Sequence, residues 1–188
     1  MKVLVGCEYS GIVRQAFREK GHDAWSCDIL PSDDNSPYHI QGDVRDLLEE
    51  NFDLGIFHPP CTRLTLAGVR WLHERNLWEE LDEACEFFKM FINAAPRVAI
   101  ENPQPHRYAV ERIGKNYDQK IQPWQFGHGE TKGICLWLYN LPKLEPTNIV
   151  EGREAKVHKM PPSAERTKMR SRFFEGVGEG MVNQWGKL

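Results

Sequence analysis

A short apolar run, Leu54-Gly55-Ile56-Phe57, leads directly into His58-Pro59-Pro60-Cys61-Thr62. The run reads as a buried strand with an acid, Asp53, just before it. Two consecutive prolines fix φ and remove two backbone donors, so a strand cannot continue through them. They also bias the preceding residues towards extended conformations. Cys61 is therefore held at the carboxyl end of a strand, the edge of an open α/β sheet where ligands bind. A cysteine there is either a nucleophile or a small buried apolar residue.

The N-terminal segment has the same grammar. Residues 2–6 form a short apolar strand, and Gly6-Cys7-Glu8-Tyr9-Ser10-Gly11 forms a turn with Ser10 as N-cap. A helix runs to about Lys20, with Ile12, Val13, Ala16 and Phe17 on one face and Gly21 ending it. A second strand, Ala24-Trp25-Ser26-Cys27, ends at Asp28. Such a β–turn–α–β unit either binds a nucleoside, with turn amides facing the ligand and the acid taking ribose hydroxyls, or is a plain structural layer. The turn lacks G-x-G-x-x-G, which disfavours a dinucleotide.

Residues 31–41 read as a polar loop, and Gly42-Asp43-Val44 as a strand end followed by a short helix over Arg45–Glu50. Residues 62–75 read as a mobile loop in which Arg63, Arg70 and Trp71 either lie over a substrate or pack locally. The clearest helix covers 76–93, where Leu77, Trp78, Leu81, Ala84, Cys85, Phe88, Phe91 and Ile92 keep a 3.6 period. Val98-Ala99-Ile100 is another buried strand, ending in Glu101-Asn102-Pro103. A carboxyl buried there without a cation has a raised pKa and can donate a proton near neutrality; otherwise Glu101 merely marks the sheet edge. Residues 119–126 and 133–139 form a late strand pair.

Net charge is −3, so any nucleic-acid site must be local. The candidate lies between Arg153 and Arg172, where Arg153, Lys156, Lys159, Arg166, Lys168, Arg170 and Arg172 face only Glu154 and Glu165. This segment either binds phosphates or is a solvated loop. The five cysteines are odd in number and contain no CxxC pair, which disfavours a disulfide framework or a Cys-based metal site and fits a reducing, cytoplasmic compartment. No apolar run approaches the roughly 18 residues of a membrane span, and no signal-peptide pattern opens the chain.

In this order the features resemble the DNA cytosine-5 methyltransferases, and the resemblance spans almost the whole chain. Pro59-Pro60-Cys61 matches the family's Pro-Cys nucleophile motif, and Glu101-Asn102-Pro103 resembles its Glu-Asn-Val motif. The first strand and turn (Gly6, Glu8, Tyr9, Ser10, Gly11) resemble the S-adenosylmethionine loop. Asp28 looks like the ribose-binding acid, Ile29 like the residue packing on adenine, and Asp43-Val44 like the segment that meets the adenine amino group. Gly178-Glu179-Gly180-Met181-Val182 looks like the C-terminal motif closing the cofactor pocket, with Glu179 at its usual Asn position. The family's Gln-x-Arg-x-Arg motif is missing, and Lys132 is a loose stand-in.

The resemblance implies a Rossmann-like α/β domain over residues 1–188, with a mostly parallel sheet flanked by helices. The basic irregular segment at 140–175 stands in place of a target-recognition domain. It also implies S-adenosyl-L-methionine as cofactor and no metal. The reaction would be methyl transfer to C5 of cytosine, with Cys61 adding to C6 and Glu101 at N3. Cofactor residues would be Gly6, Glu8, Tyr9, Ser10, Gly11, Asp28, Ile29, Asp43, Val44, Pro59 and Glu179; substrate residues would be Arg63, Arg70, Asn102 and Lys132. DNA, met through 153–172, is the expected partner, in a cytoplasm such as that of a phage host. The alternatives are the same chemistry on RNA or a cytosine nucleotide, or a non-catalytic cofactor-binding protein.

Overall fold

The computed structural model describes residues 1–156, 161, 163 and 172–188. Among them, seven strands form one sheet: β1 (Lys2–Gly6), β2 (Asp23–Asp28), β3 (His39–Gln41), β4 (Leu54–Phe57), β5 (Arg97–Asn102), β6 (Gln119–Ile121) and β7 (Ile134–Tyr139). Their spatial order is β3-β2-β1-β4-β5-β7-β6. The strands from β3 through β5 are parallel, and β7 runs antiparallel to both β5 and β6. The α-helices that lie wholly within the described residues are α1 (Ile12–Glu19), α2 (Val69–Glu74), α3 (Trp78–Met90), α4 (Arg107–Ile113) and α5 (Glu175–Trp185). The expected Rossmann-like sheet flanked by helices is the fold observed.

Side chains alternate between two cores, as the pleat demands. Val3, Val5, Leu54, Ile56, Ala99, Leu136 and Leu138 pack with Val13 and Phe17 of α1 and with Val177, Met181 and Trp185 of α5. Leu4, Phe57, Val98, Ile100, Cys135 and Trp137 pack with Leu81, Cys85 and Phe88 of α3 and with Ala109 and Ile113 of α4. Cover on both faces explains why the central strands are apolar throughout rather than alternating.

The end of β4 is set by one ring. Phe57 stacks on Phe91 at 4.4 Å with an interplanar angle of 16°. It lies flat across Gly6 and Gly55, and a Cβ at either glycine would stand 2.5 Å from its ring atoms.

Several boundaries differ from expectation. Residues 62–75 are a 3₁₀ turn (Leu66–Gly68) and α2, not a loop, because Leu72 is buried and anchors the turn of helix. Residues 39–41 of the expected polar loop form β3, while Val44 opens a 3₁₀ turn capped by Asp43. An edge strand of three residues carries too little periodicity to stand out. Pro123 ends β6 early, and α4 follows His106, whose side chain accepts from Ala109 N. Among the described residues no helix is long and apolar enough to cross a membrane.

Gly55→Ala is expected to destabilise the protein by about 1–3 kcal/mol through overpacking against the stacked Phe57 ring, with the fold retained. Denaturant unfolding followed by circular dichroism measures this directly.

Candidate functional site

Strand order reverses direction between β1 and β4, so a crevice opens beyond their carboxyl ends. The turn after β1, Asp28 at the end of β2, Gly42-Asp43 after β3, His58–Cys61 after β4 and Glu101-Asn102 at the end of β5 all come to that edge.

The turn after β1 is built around a buried acid. Glu8 is only 4% exposed, and its carboxylate accepts from Val13 N (2.8 Å), Arg14 N (3.3 Å) and Ser10 Oγ (3.3 Å). Gly11, with φ of 71°, is the N-cap residue and Ser10 is not; the capping oxygens come from Glu8. The amides that would greet a phosphate at this helix start are thus already taken by a carboxylate. The turn suits a ligand without phosphate. Cys7, ahead of Glu8, has φ of 58°, unusual for a residue with a Cβ.

The next loop is tied down from beneath. Arg14 is fully buried, donates to Ser26 Oγ (2.9 Å) and pairs with Asp34. Ser26 Oγ also meets His39 Nδ1 (2.8 Å), and His39 Nε2 meets the Leu30 carbonyl (3.0 Å). This network carries the loop that presents Ile29, an apolar side chain left 74% exposed, beside Asp28. Asp28 accepts from Leu30 N (2.9 Å). Burial pushes its carboxyl up, against the pull of the Leu30 and Ile29 amides, His39 and His58. A raised, half-buried acid beside an exposed isoleucine suits a sugar edge and a flat base. Asp43 is partly exposed and held down to about 2 by hydrogen bonds from the Arg45 side chain and amide, so an adenine amino group would share it with Arg45. The Val44 side chain is buried against Gly6 rather than displayed.

On the other side of the crevice two loops are zipped together. Asn102 Nδ2 donates to the Pro59 carbonyl (2.9 Å), Leu66 N to Gln104 O (3.2 Å) and His106 N to Leu64 O (3.1 Å). His106 Nε2 donates to the Arg63 carbonyl (2.7 Å) and its Nδ1 accepts from Ala109 N, while burial lowers its pKa and favours this neutral ring. Cys61, half-buried, starts the turn, its carbonyl accepting from Leu64 N (3.1 Å) and Thr65 N (3.3 Å). Glu101 has a close neighbour that its sequence did not announce: His58 Nδ1 lies 3.1 Å from its Oε2. Among the described residues, His58 Nε2 and Asn102 Oδ1 are buried without a partner, both at this edge.

Other expected ligand residues lie elsewhere. Arg63 pairs with Glu80 of α3 (2.7 Å). Arg70 pairs with Glu74 (3.3 Å) and stacks on Trp71, with Arg75 also against that ring. Lys132 Nζ reaches the Arg172 carbonyl (3.3 Å) and lies 5.5 Å from the Phe174 ring. Glu179 is exposed on α5, whose glycines serve packing: a Cβ at Gly176 would fall on the Phe126 carbonyl, and one at Gly180 would press on the Phe126 ring. Of the basic segment, Arg153 stacks on Trp124 (3.8 Å), Lys156 pairs with Glu130 (3.2 Å) and Arg172 with Glu175 (3.9 Å). Lys159, Arg166, Lys168 and Arg170 lie outside the described residues. Sequence reading missed Lys120, on β6, which donates to Gln104 Oε1 (2.7 Å) beside the β5 exit, and it missed His58, whose place before the prolines was the available signal. An open cleft of about 890 Å³ sits at the opposite sheet edge, lined by Phe52, Asp53, Pro96 and Asn140, away from this chemistry.

No protein-family model matches the sequence, and no curated protein matches it. Among solved structures, the Entamoeba histolytica methyltransferase EhMeth is similar over 80% of this chain and 57% of its own, with TM-score 0.53 and 11% identity. A Spodoptera frugiperda DNMT2 mutant covers 80% of this chain and 54% of its own (TM-score 0.43, 15% identity). The S. pombe Dnmt2 methyltransferase covers 100% and 66% (TM-score 0.43, 15% identity). The likeness to EhMeth is one of fold, a Rossmann-like α/β sheet flanked by helices. The chain spans 57% of the length of that protein.

Burial, with nearby acids adding, pushes Cys7 up to about 12 and Cys27 to about 11; burial likewise lifts Cys85 and Cys135 to about 11. Alkylation proceeds through the thiolate. Iodoacetamide treatment of the native protein at about pH 8 is therefore expected to leave Cys7, Cys27, Cys85 and Cys135 largely unmodified until the protein is unfolded, as read by peptide mass spectrometry.

Proposed function

We propose that this chain is a compact cytosine-5 methyltransferase that transfers a methyl group from S-adenosylmethionine to C5 of cytosine in DNA. The observation that supports the reading is the zipped pair of loops, in which the segment that carries Cys61 is hydrogen-bonded to the segment that follows Glu101 at the carboxyl edge of the sheet. The cofactor half fits S-adenosylmethionine, a nucleoside without phosphate. Glu8 closes the helix start to phosphate, Asp28 stands where ribose hydroxyls would bind, and Ile29 is exposed to meet adenine.

The chemistry follows from the side chains. C5 of cytosine is a weak nucleophile, and a Cys61 thiolate adding to C6 makes it enamine-like, dividing one hard step into easier ones. Glu101 protonates or hydrogen-bonds N3 as the adduct forms. The cofactor supplies an electrophilic methyl group to C5. Loss of the C5 proton and expulsion of Cys61 then restore the ring. A target base within duplex DNA must first be flipped out, which orphaned acceptors such as Asn102 Oδ1 could help receive.

Labelled S-adenosylmethionine, incubated with duplex DNA, RNA or deoxycytidine monophosphate and followed by nucleoside mass spectrometry, tests the reading. We expect 5-methyldeoxycytidine from DNA, and we expect Cys61→Ser to lower turnover by at least about 10³-fold with cofactor binding nearly unchanged. Product on RNA or the nucleotide alone would reassign the substrate, and full turnover by Cys61→Ser would sink the covalent mechanism. Cofactor binding without product on any of the three would leave a cofactor-binding protein.

A further inference from the structure

The residue that enters the double-proline turn is the hydrogen-bond partner of the candidate acid. His58 and Glu101 stand 3.1 Å apart with side chains only 12% and 13% exposed. His58 Nε2 is buried and unpartnered among the described residues. A neutral imidazole with one nitrogen against a carboxyl oxygen and the other bare holds its proton on the paired nitrogen, here Nδ1. The ring has little room to turn. Phe173 packs on it at 4.8 Å, Pro59 follows with a fixed φ, and Asn102 holds the Pro59 carbonyl.

We propose that His58 is the positioning residue of Glu101: its Nδ1–H occupies Oε2 and leaves Oε1 to meet cytosine N3. The inference rests on the cytosine-5 reading above. As the bond from Cys61 sulfur to C6 forms, the Oε1 proton passes to N3 and Glu101 becomes a carboxylate. The Nδ1–H bond to that carboxylate is charge-assisted and stronger than the bond to the neutral acid. It therefore stabilises the charge that develops, without moving its own proton. When the S–C6 bond breaks, N3 returns its proton to Oε1, and both side chains regain their starting state.

Two substitutions in the full chain separate this role from packing. His58→Asn places an amide N–H near the position of Nδ1. His58→Phe keeps the ring against Phe173 and removes the donor. With duplex DNA and labelled S-adenosylmethionine, we expect His58→Asn to stay within about tenfold of wild-type kcat and His58→Phe to lose about 10²-fold, with KM for DNA nearly unchanged in both. In a Glu101→Gln background, His58→Phe should cost little more. Equal loss in the two His58 variants, or full activity in His58→Phe, would overturn the proposal. Imidazole ¹⁵N shifts of the substrate-less wild type supply a readout independent of turnover. An Nδ1–H tautomer that changes in Glu101→Gln supports the pairing, and an Nε2–H tautomer overturns it. A wild type that shows the Nδ1–H tautomer yet methylates no cytosine substrate brings down the methyltransferase reading, and with it this role of His58.

Discussion

The site depends on the hydrogen bonds that join the loop after β4 to the loop after β5. Prolines 59 and 60 bring carbonyls to the β4 exit but no donors, so that loop cannot complete its own bonding. Asn102 supplies the donor for the Pro59 carbonyl, and His106 supplies one for Arg63. Beneath them the parallel register Phe57↔Ile100 sets the two strand ends level. The sheet sets the two strand ends level, and the hydrogen bonds between the loops set how the Cys61 turn sits on the segment after Glu101.

The opposite half of the crevice is governed by electrostatics at one helix terminus. A helix start carries partial positive charge and unpaired amides, and it usually invites an anionic ligand. Here the anion is internal, because Glu8 folds back onto the amides of Val13 and Arg14. The guanidinium of Arg14, one turn into the same helix, is buried and paired with Asp34, which ties the ligand-facing loop to the helix. One short segment of sequence thereby closes the phosphate position and shapes the loop that leaves Ile29 and Leu30 at the surface. Together these features favour a phosphate-free nucleoside over a dinucleotide.

The arrangement of strands was legible in the chain because each central strand is a brief apolar run stopped by a polar or proline-bearing turn. That pattern follows directly from burial on both sheet faces. The candidate residues at the strand ends were legible for the same reason: once the strand is placed, the residue that follows it must lie at the carboxyl edge. Cys61, Glu101, Asp28 and the turn at Gly6–Gly11 all belong to that group, and all reach one crevice.

What escaped sequence reading is which of several competing groups, near or far in the chain, takes a given partner. Ser10 has the right chemistry for a cap, yet Glu8 captures the helix start because burial leaves its carboxylate no better partner. Arg63 pairs with Glu80 across 17 residues of chain and Arg70 with Glu74 one helical turn away, pairings that the sequence reading did not assign. The close approach of Gly176 and Gly180 to Phe126 is likewise invisible in the sequence, since Phe126 lies about 50 residues away in the chain. His58 is unremarkable in sequence and becomes Glu101's partner only when two strands align across 43 residues of chain. Local composition determined where strands end and therefore which side chains reach the edge. Only tertiary contact decided which charges are already neutralised there, since an ion pair or a cap is a competition among neighbours that the order of residues does not reveal.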